Sequence, residues 1–430
     1  MNLIDEYVNL VKGYTDAPTV FVEASGYHIV SNLLGRFTKT TYLRGHGKPN
    51  LWFILSSIPG RMRRTTVIDF SKRVYKKALE KYYTDVLKWR PELAKQRVFG
   101  SIIEEGTPEG IMDNIEETNL DSYAIMNSEF GGVLQKITTK GYEFGVSTLF
   151  SKLYDGEGGA MYLSKRTKKG RLRVVPDGLY VTMLCGMQEP NLYITPNMVR
   201  QGLLRRIILI YVKPEDLEEW KPLYRMGLSE AYNDLDGFAE KVFDKMKYFK
   251  ELSSEFFPFV VLVAFKPSVV NELNEYGKRI DDEIRANPEG LISIHKQDYA
   301  LHLGKLAVVR AIGKGKIQQL GENYVIMVDE DDYAKAKSFF EEAVKNTEEA
   351  ILSLGEKRLP YITEEESIER IYHIIKSAGP EGITLTQLSR KANMRSERLH
   401  GYINTLVEQD RIERERKKHG EKGFYGWRSC

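Results

Sequence analysis

Apolar positions along the chain change their period several times, and each change marks an element. Leu3, Tyr7, Val8 and Val11 recur at helical spacing, as does the run 27–34, so residues 1–45 read as a small helical lead-in. Residues 49–83, PNLWFILSSIPGRMRRTTVIDFSKRVYKKALEKYY, give an apolar strand, a Pro-Gly turn and a long helix in succession. Four further apolar runs follow, RVFGSII, SYAIMNSEF, GLYVTMLCGM and RRIILIYV, separated by helical or turn-rich stretches. Strands that alternate with helices predict an α/β core with a mainly parallel sheet over 46–215. Residues 216–355 lose that alternation and predict a mostly helical lid domain, in which FFPFVVLVAF is the one strand-like exception. After a linker, residues 364–430 carry three short helical patterns and then two alternating strands around Gly420.

Composition bounds this picture without changing it. A chain of 430 residues exceeds what one core usually organises, and its 42% hydrophobic and 29% charged residues are ordinary globular values. A net charge of +3 means that any affinity for nucleic acid must come from local basic patches. Cys185 and Cys430 alone cannot make a disulfide framework or a cysteine zinc site. The N-terminus lacks a signal-peptide core and no apolar run is long enough to span a bilayer, which predicts a cytoplasmic protein without membrane contact. The abundance of Lys, Arg and Glu is a bias of proteins from hot environments.

Three candidate groups sit at strand ends. The turn 56–66, SSIPGRMRRTT, lies between a strand and a helix, where a phosphate-binding loop belongs. Such a loop needs glycine for close backbone approach, a cation for the phosphate oxygens and a hydroxyl for magnesium. Pro59, Gly60, Arg63, Arg64, Thr65 and Thr66 are the candidates, with Arg63 or Arg64 in place of the usual Lys and Thr65 as the magnesium ligand. A basic turn that binds nothing, or binds nucleic-acid phosphate, is the alternative. The strand in DSYAIMNSEFGG ends in Ser128 and Glu129, candidates for ordering magnesium and polarising water. Gln188 ends the strand in GLYVTMLCGMQEP, where it can sense a phosphate or orient water; a buried strand with a polar end fits equally well. Arg205 and Arg206 precede another strand and could reach a neighbouring subunit's nucleotide, or could be solvated at a helix end.

Two basic segments suit nucleic acid. Residues 162–175, YLSKRTKKGRLRVV, predict a hairpin carrying Lys165, Arg166, Lys168, Lys169, Arg171 and Arg173 with no acid between them. The pattern at 364–430 is the winged helix-turn-helix layout, which would bring Arg395, Ser396, Arg398, His400 and Asn404 to DNA, with Lys417, Lys418 and His419 on the wing. Winged helices also serve as protein-contact modules. No Asp, Glu and His cluster at metal-ligand spacing supports a nuclease.

The ordered stretches PNLWFILSSIPGRMRRTT, GTPEGIMDNIEE, NSEFGGVL, LYDGEGG, GMQEP and QGLLRRIIL resemble the primase-helicase-like ATPases of phages, plasmids and archaeal mobile elements, which have a RecA-like or AAA+-like P-loop core. The QEP and LLRRI stretches are also similar to their counterparts in minichromosome-maintenance helicases. The resemblance implies ATP and magnesium as cofactors and DNA as partner. It further implies a homo-oligomer, a hexamer by analogy, with Lys168 and Lys169 in its pore and a separate primase or polymerase acting beside it. It places the phosphate loop at Gly60–Thr66, the water-polarising acid at Glu129, the sensor at Gln188 and the arginine finger at Arg206, with Arg205 second. The chain departs from the family in lacking the loop Lys and in having Ser128 where an Asp is usual. Both an active DNA motor and a DNA-binding initiator, regulator or scaffold with a decayed site follow from that combination.

Overall fold

The computed structural model describes residues 2–40, 47–58, 62–104, 108–139, 143–162, 172–216, 228–252, 261–356, 364–378, 382–392, 396–408, 411–419 and 422–429. They form two compact units, Met1–Gly355 and Glu356–Cys430. The protein is an α/β protein, mostly helical, with one all-parallel and one mixed sheet in the larger unit.

Five strands make the parallel sheet: β2 (Trp52–Ser57), β3 (Ile102–Ile103), β4 (Ser122–Asn127), β7 (Tyr180–Met187) and β8 (Ile208–Val212). Their spatial order is β3-β4-β7-β2-β8. All eight residues of β7 are buried, as expected of a strand covered on both faces. Successive residues of β2 show the two layers. Trp52 meets Phe150 and Tyr154 of α7 (Glu143–Asp155), whereas Phe53 meets Phe339 of α13 (Glu330–Val344) on the other side.

The apolar pattern at 27–34 belongs to α2 (Thr19–Gly35), which is far more than a lead-in. Apolar and small residues surround this helix on nearly every side, the mark of a helix buried in the core. It packs against α1 (Leu3–Val11), α3 (Arg64–Lys81), α12 (Tyr299–Lys314) and β7. Several of its buried polar groups bond to the sheet: Asn32 bonds the Thr182 hydroxyl, His28 Nε2 lies 3.1 Å from the same oxygen, and the Tyr180 hydroxyl donates to the Ser31 carbonyl at 2.8 Å. A continuous hydrophobic core runs from Leu3 to Leu354, so the segments 1–45, 46–215 and 216–355 fold as one unit.

Two expectations need correction. The run RVFGSII is mainly the end of α4 (Pro91–Gly100), with only Ile102 and Ile103 in a strand. The segment 216–355, expected to be mostly helical, also contributes to a mixed sheet of order β1-β9-β11-β10. Its strands are β1 (Thr38–Thr40), β9 (Val261–Phe265), β10 (Ile317–Leu320) and β11 (Asn323–Val328). The strand expected in FFPFVVLVAF is β9. The β10–β11 hairpin turns at Gly321, whose φ of +62° suits glycine.

The smaller unit has α15 (Glu364–Ser377), α16 (Leu385–Ala392) and α17 (Ser396–Glu408) over an antiparallel sheet of order β12-β14-β13. These strands are β12 (Ile383–Thr384), β13 (Ile412–His419) and β14 (Lys422–Ser429). Ile371, Ile375, Leu388, Leu399 and Leu406 form the centre of its own core. Arg411 pairs with Glu369 at 2.6 and 2.9 Å and lies 4.0 Å from the Tyr372 ring centroid, tying the start of β13 to α15.

Candidate active site at the carboxyl ends of the parallel strands

The strand order creates a crevice. After β2 the chain crosses to β3, three places away, and after β7 it crosses to β8 on the other side of β2. The connections that leave the adjacent strands β2 and β7 therefore diverge, and such a switch point is where open α/β sheets bind ligands, at the carboxyl ends of the strands.

Side chains from three strands meet there. The buried Ser56 hydroxyl at the end of β2 donates to the Gln188 carbonyl at 2.6 Å, joining β2 to the residue after β7. The Gln188 side chain accepts from the Tyr193 hydroxyl at 3.2 Å. At the end of β4, the Asn127 carboxamide donates to the Glu104 carbonyl beyond β3 and accepts the Glu129 backbone N–H at 2.6 Å. It thus fixes the turn that presents Glu129, whose side chain is exposed, while Ser128 is half-buried. Two glycines permit this crowding. A Cβ on Gly186 would stand 2.7 Å from the Ser128 carbonyl oxygen, and one on Gly131 would stand 2.8 Å from the Tyr193 ring.

The two candidate arginines divide. Arg63 adopts a left-handed conformation (φ 48°, ψ 27°) just before α3 and is exposed, with its Nε 2.9 Å from Asp16 of the N-terminal segment. Arg64 is half-buried as the first residue of α3. Burial lowers the pKa of its guanidinium, and the neighbouring Glu129 and Tyr193 oppose that shift. Its Nη1 is buried without a hydrogen-bond partner among the described residues. Thr65 is exposed and Thr66 half-buried on the first turn of α3. Pro59 and Gly60 lie outside the described residues.

A buried, unpartnered guanidinium nitrogen at this end of the sheet fits an oxyanion such as a phosphate. The donors that the sequence offered for magnesium are fewer: among the described residues they are the Glu129 carboxylate and the hydroxyls of Ser128 and Thr65. A second acidic group elsewhere, Asp329, Asp331 and Asp332, holds the Lys314 ammonium at 2.8 to 3.1 Å and caps α13, which accounts for it without a metal.

Arg205 and Arg206 stand at the opposite, amino-end edge of the sheet, just before β8. Arg206 pairs with Asp155 at 2.8 Å and donates to the Gly202 carbonyl at 3.1 Å. Arg205 lies 3.5 Å from Asp298 and donates to Gln297 at 3.0 Å. Beneath them Lys305, only 4% exposed, donates to the Asn50 side-chain oxygen at 2.7 Å and lies 4.0 Å from the Tyr154 ring centroid. Burial pushes its amine down to about 7, against the pull of Asp155 and Asp298.

Of the basic hairpin, strands β5 (Gly159–Tyr162) and β6 (Leu172–Val175) pair antiparallel as expected. Lys165, Arg166, Lys168, Lys169 and Arg171 lie outside the described residues, and so does Arg395. Ser396, Arg398 and His400 fall on α17, where Asn404 is exposed, and Lys417, Lys418 and His419 fall on β13. Sequence reasoning missed Asn127, Tyr193 and Asp16. The signals were a carboxamide at the last position of an apolar strand and a tyrosine five residues after Gln188. Compared with known proteins, the chain matches no family model and no curated sequence.

Proposed function

We propose that the chain is a P-loop-type ATPase of the primase-helicase-like kind that acts on DNA, with a RecA-like or AAA+-like core and a C-terminal winged helix. The observation that carries this reading is the placing of Arg64, Glu129 and Gln188 at the carboxyl ends of β2, β4 and β7, where Arg64 has a buried unpartnered nitrogen, feels the charge of Glu129, and has as a second neighbour Tyr193, which bonds Gln188. Supporting it, strand β7 lies between the strand that leads into the phosphate loop and the strand that ends near Glu129, an arrangement that RecA-like and AAA+-like cores share. Three helices with a terminal hairpin likewise support the winged-helix reading.

In this reading Arg64 binds phosphate oxygens, with the first-turn backbone of α3 directed at the same anion. Glu129 holds and polarises the attacking water, and Gln188, braced by Tyr193, orients it. Magnesium, when bound beside Glu129, Ser128 and Thr65, supplies charge neutralisation at the phosphates. Arg206 is largely buried and paired with Asp155 at the opposite end of the sheet, so in this reading it has a structural part and the arginine-finger role that the resemblance implied falls to neither Arg206 nor Arg205. DNA is gripped by the basic hairpin and the winged helix, and a separate primase or polymerase acts with the motor.

A second reading, a DNA-binding scaffold or initiator without turnover, is favoured by one observation. Asn127 and Ser128 leave the β4 end without an acid before Glu129, and Arg63 is engaged by Asp16. Magnesium-dependent ATP turnover, measured with and without single- and double-stranded DNA, separates the two. Turnover that DNA stimulates and Glu129→Gln abolishes supports the motor; DNA binding without turnover supports the scaffold.

A further inference from the structure

The mixed sheet has two unlike edges. At one, Thr38 and Thr40 of β1 are buried; at the other, Gln318, Gln319 and Leu320 of β10 are exposed, Leu320 to 54%. An edge strand offers unpaired backbone donors and acceptors to another strand, and proteins usually blunt it with a proline, a bulge or a charge. β10 reads Ile-Gln-Gln-Leu and pairs with β11 without a bulge, so it carries none of the three.

The register shows which backbone groups are free. β10 and β11 pair from Ile317 with Ile326 to Leu320 with Asn323, which leaves Gly321 and Glu322 as the turn. A turn of that length closes on a hydrogen-bonded pair, and along an antiparallel ladder such pairs alternate with pairs whose groups point outward. Leu320 and Gln318 therefore direct their N–H and C=O at β11, whereas those of Ile317 and Gln319 face out of the sheet. The flanks carry one charge of each sign: Lys316 and Glu322 are exposed and make no ion pair among the described residues. A second β10 laid antiparallel, with Gln319 opposite Gln319 on a twofold axis, matches free backbone groups to free backbone groups. It also sets Lys316 of each copy beside Glu322 of the other and covers Leu320 with Gln318. A parallel copy in register would set lysine beside lysine and glutamate beside glutamate.

We infer that β10 is a docking edge for a second copy of this chain, which adds its own β10 antiparallel across a twofold axis. The contact uses the same patch on both copies and so closes as a dimer, whereas a ring needs a head-to-tail contact. It therefore stands or falls separately from the nucleotide reading and from any ring. Four residues a side make a small interface, so the dimer is weak and forms as concentration rises.

The test is sedimentation equilibrium of the full-length chain over a range of concentrations. The wild type is expected to form a concentration-dependent dimer. Lys316→Glu and Glu322→Lys each place like charges at both ends of the seam and should weaken the dimer by about tenfold or more. The double variant Lys316→Glu/Glu322→Lys should restore it, as should an equimolar mixture of the two single variants. Both positions are exposed, so the melting temperatures of the variants should match wild type. A chain that stays monomeric at every concentration, self-association that both single reversals leave unchanged, or a double variant and a mixture as weak as the single variants overturns the inference.

Discussion

The two ends of the parallel sheet are built differently. At the amino end, Arg205, Arg206, Asp155, Asp298, Asn50 and Lys305 form a cross-linked network in which both guanidinium groups meet carboxylates, although Arg205 Nε and Arg206 Nε, like Arg64 Nη1, are buried without a hydrogen-bond partner among the described residues. At the carboxyl end, Arg64 has an unpartnered nitrogen, Glu129 is exposed, and the fixed contacts belong to the supporting groups Ser56, Asn127 and Tyr193. One end spends its polar groups on holding elements together. The other positions them and leaves them open, as a binding site requires, because a pre-organised donor stabilises developing charge only when it is not already satisfied.

This contrast can be broken from either side. The largest expected effect is on chemistry: Glu129→Gln should lower DNA-stimulated turnover by about a hundredfold or more, with the melting temperature unchanged because the side chain is exposed. Next, Asp155→Ala should cost about 3 kcal/mol of stability in denaturant titration, since it strands the largely buried Arg206 charge. Asn127→Ala should cost about 1 to 2 kcal/mol and lower turnover as well, because the turn carrying Glu129 loses its cap.

The amino-end network responds to pH through Lys305. Its folded-state pKa, about 7, lies below the ordinary lysine value of 10.5. From about pH 7 to 10.5 the unfolded chain binds the proton that the folded chain has shed, so stability rises with pH over that window and is lost as pH falls through 7. Thermal melts of Lys305→Met should lack this rise relative to wild type. The smallest effect belongs to Arg63→Gly, which relieves a left-handed backbone but leaves the largely buried Asp16 carboxylate without its partner, for a net loss of about 1 kcal/mol in denaturant titration.

Much of the parallel sheet was legible because β2, β4, β7 and β8 are continuous apolar runs bounded by turns, and the helices of the smaller unit because their apolar residues keep one period. Other parts were hidden for physical reasons. Helix α2 is buried on nearly all sides and has no polar face to mark it as central. Strand β10 is short and largely exposed, so alternation could not reveal it. Spacing alone could not choose between Arg63 and Arg64. That choice depends on a left-handed residue at 63, which turns one side chain towards Asp16 and starts the helix with the next. Long-range pairs such as Arg206 with Asp155 and Lys305 with Asn50 leave no mark in local sequence.

In this reading the carboxyl end is an open phosphate site and the amino end a structural lock. Equilibrium titration of magnesium pyrophosphate against wild type, Arg64→Ala and Arg205→Ala tests it most directly. Wild type is expected to bind, Arg64→Ala to bind about tenfold or more weakly through the loss of a charge-assisted contact, and Arg205→Ala to bind as wild type does. Binding that is absent from wild type, or equal in wild type and Arg64→Ala, would contradict it.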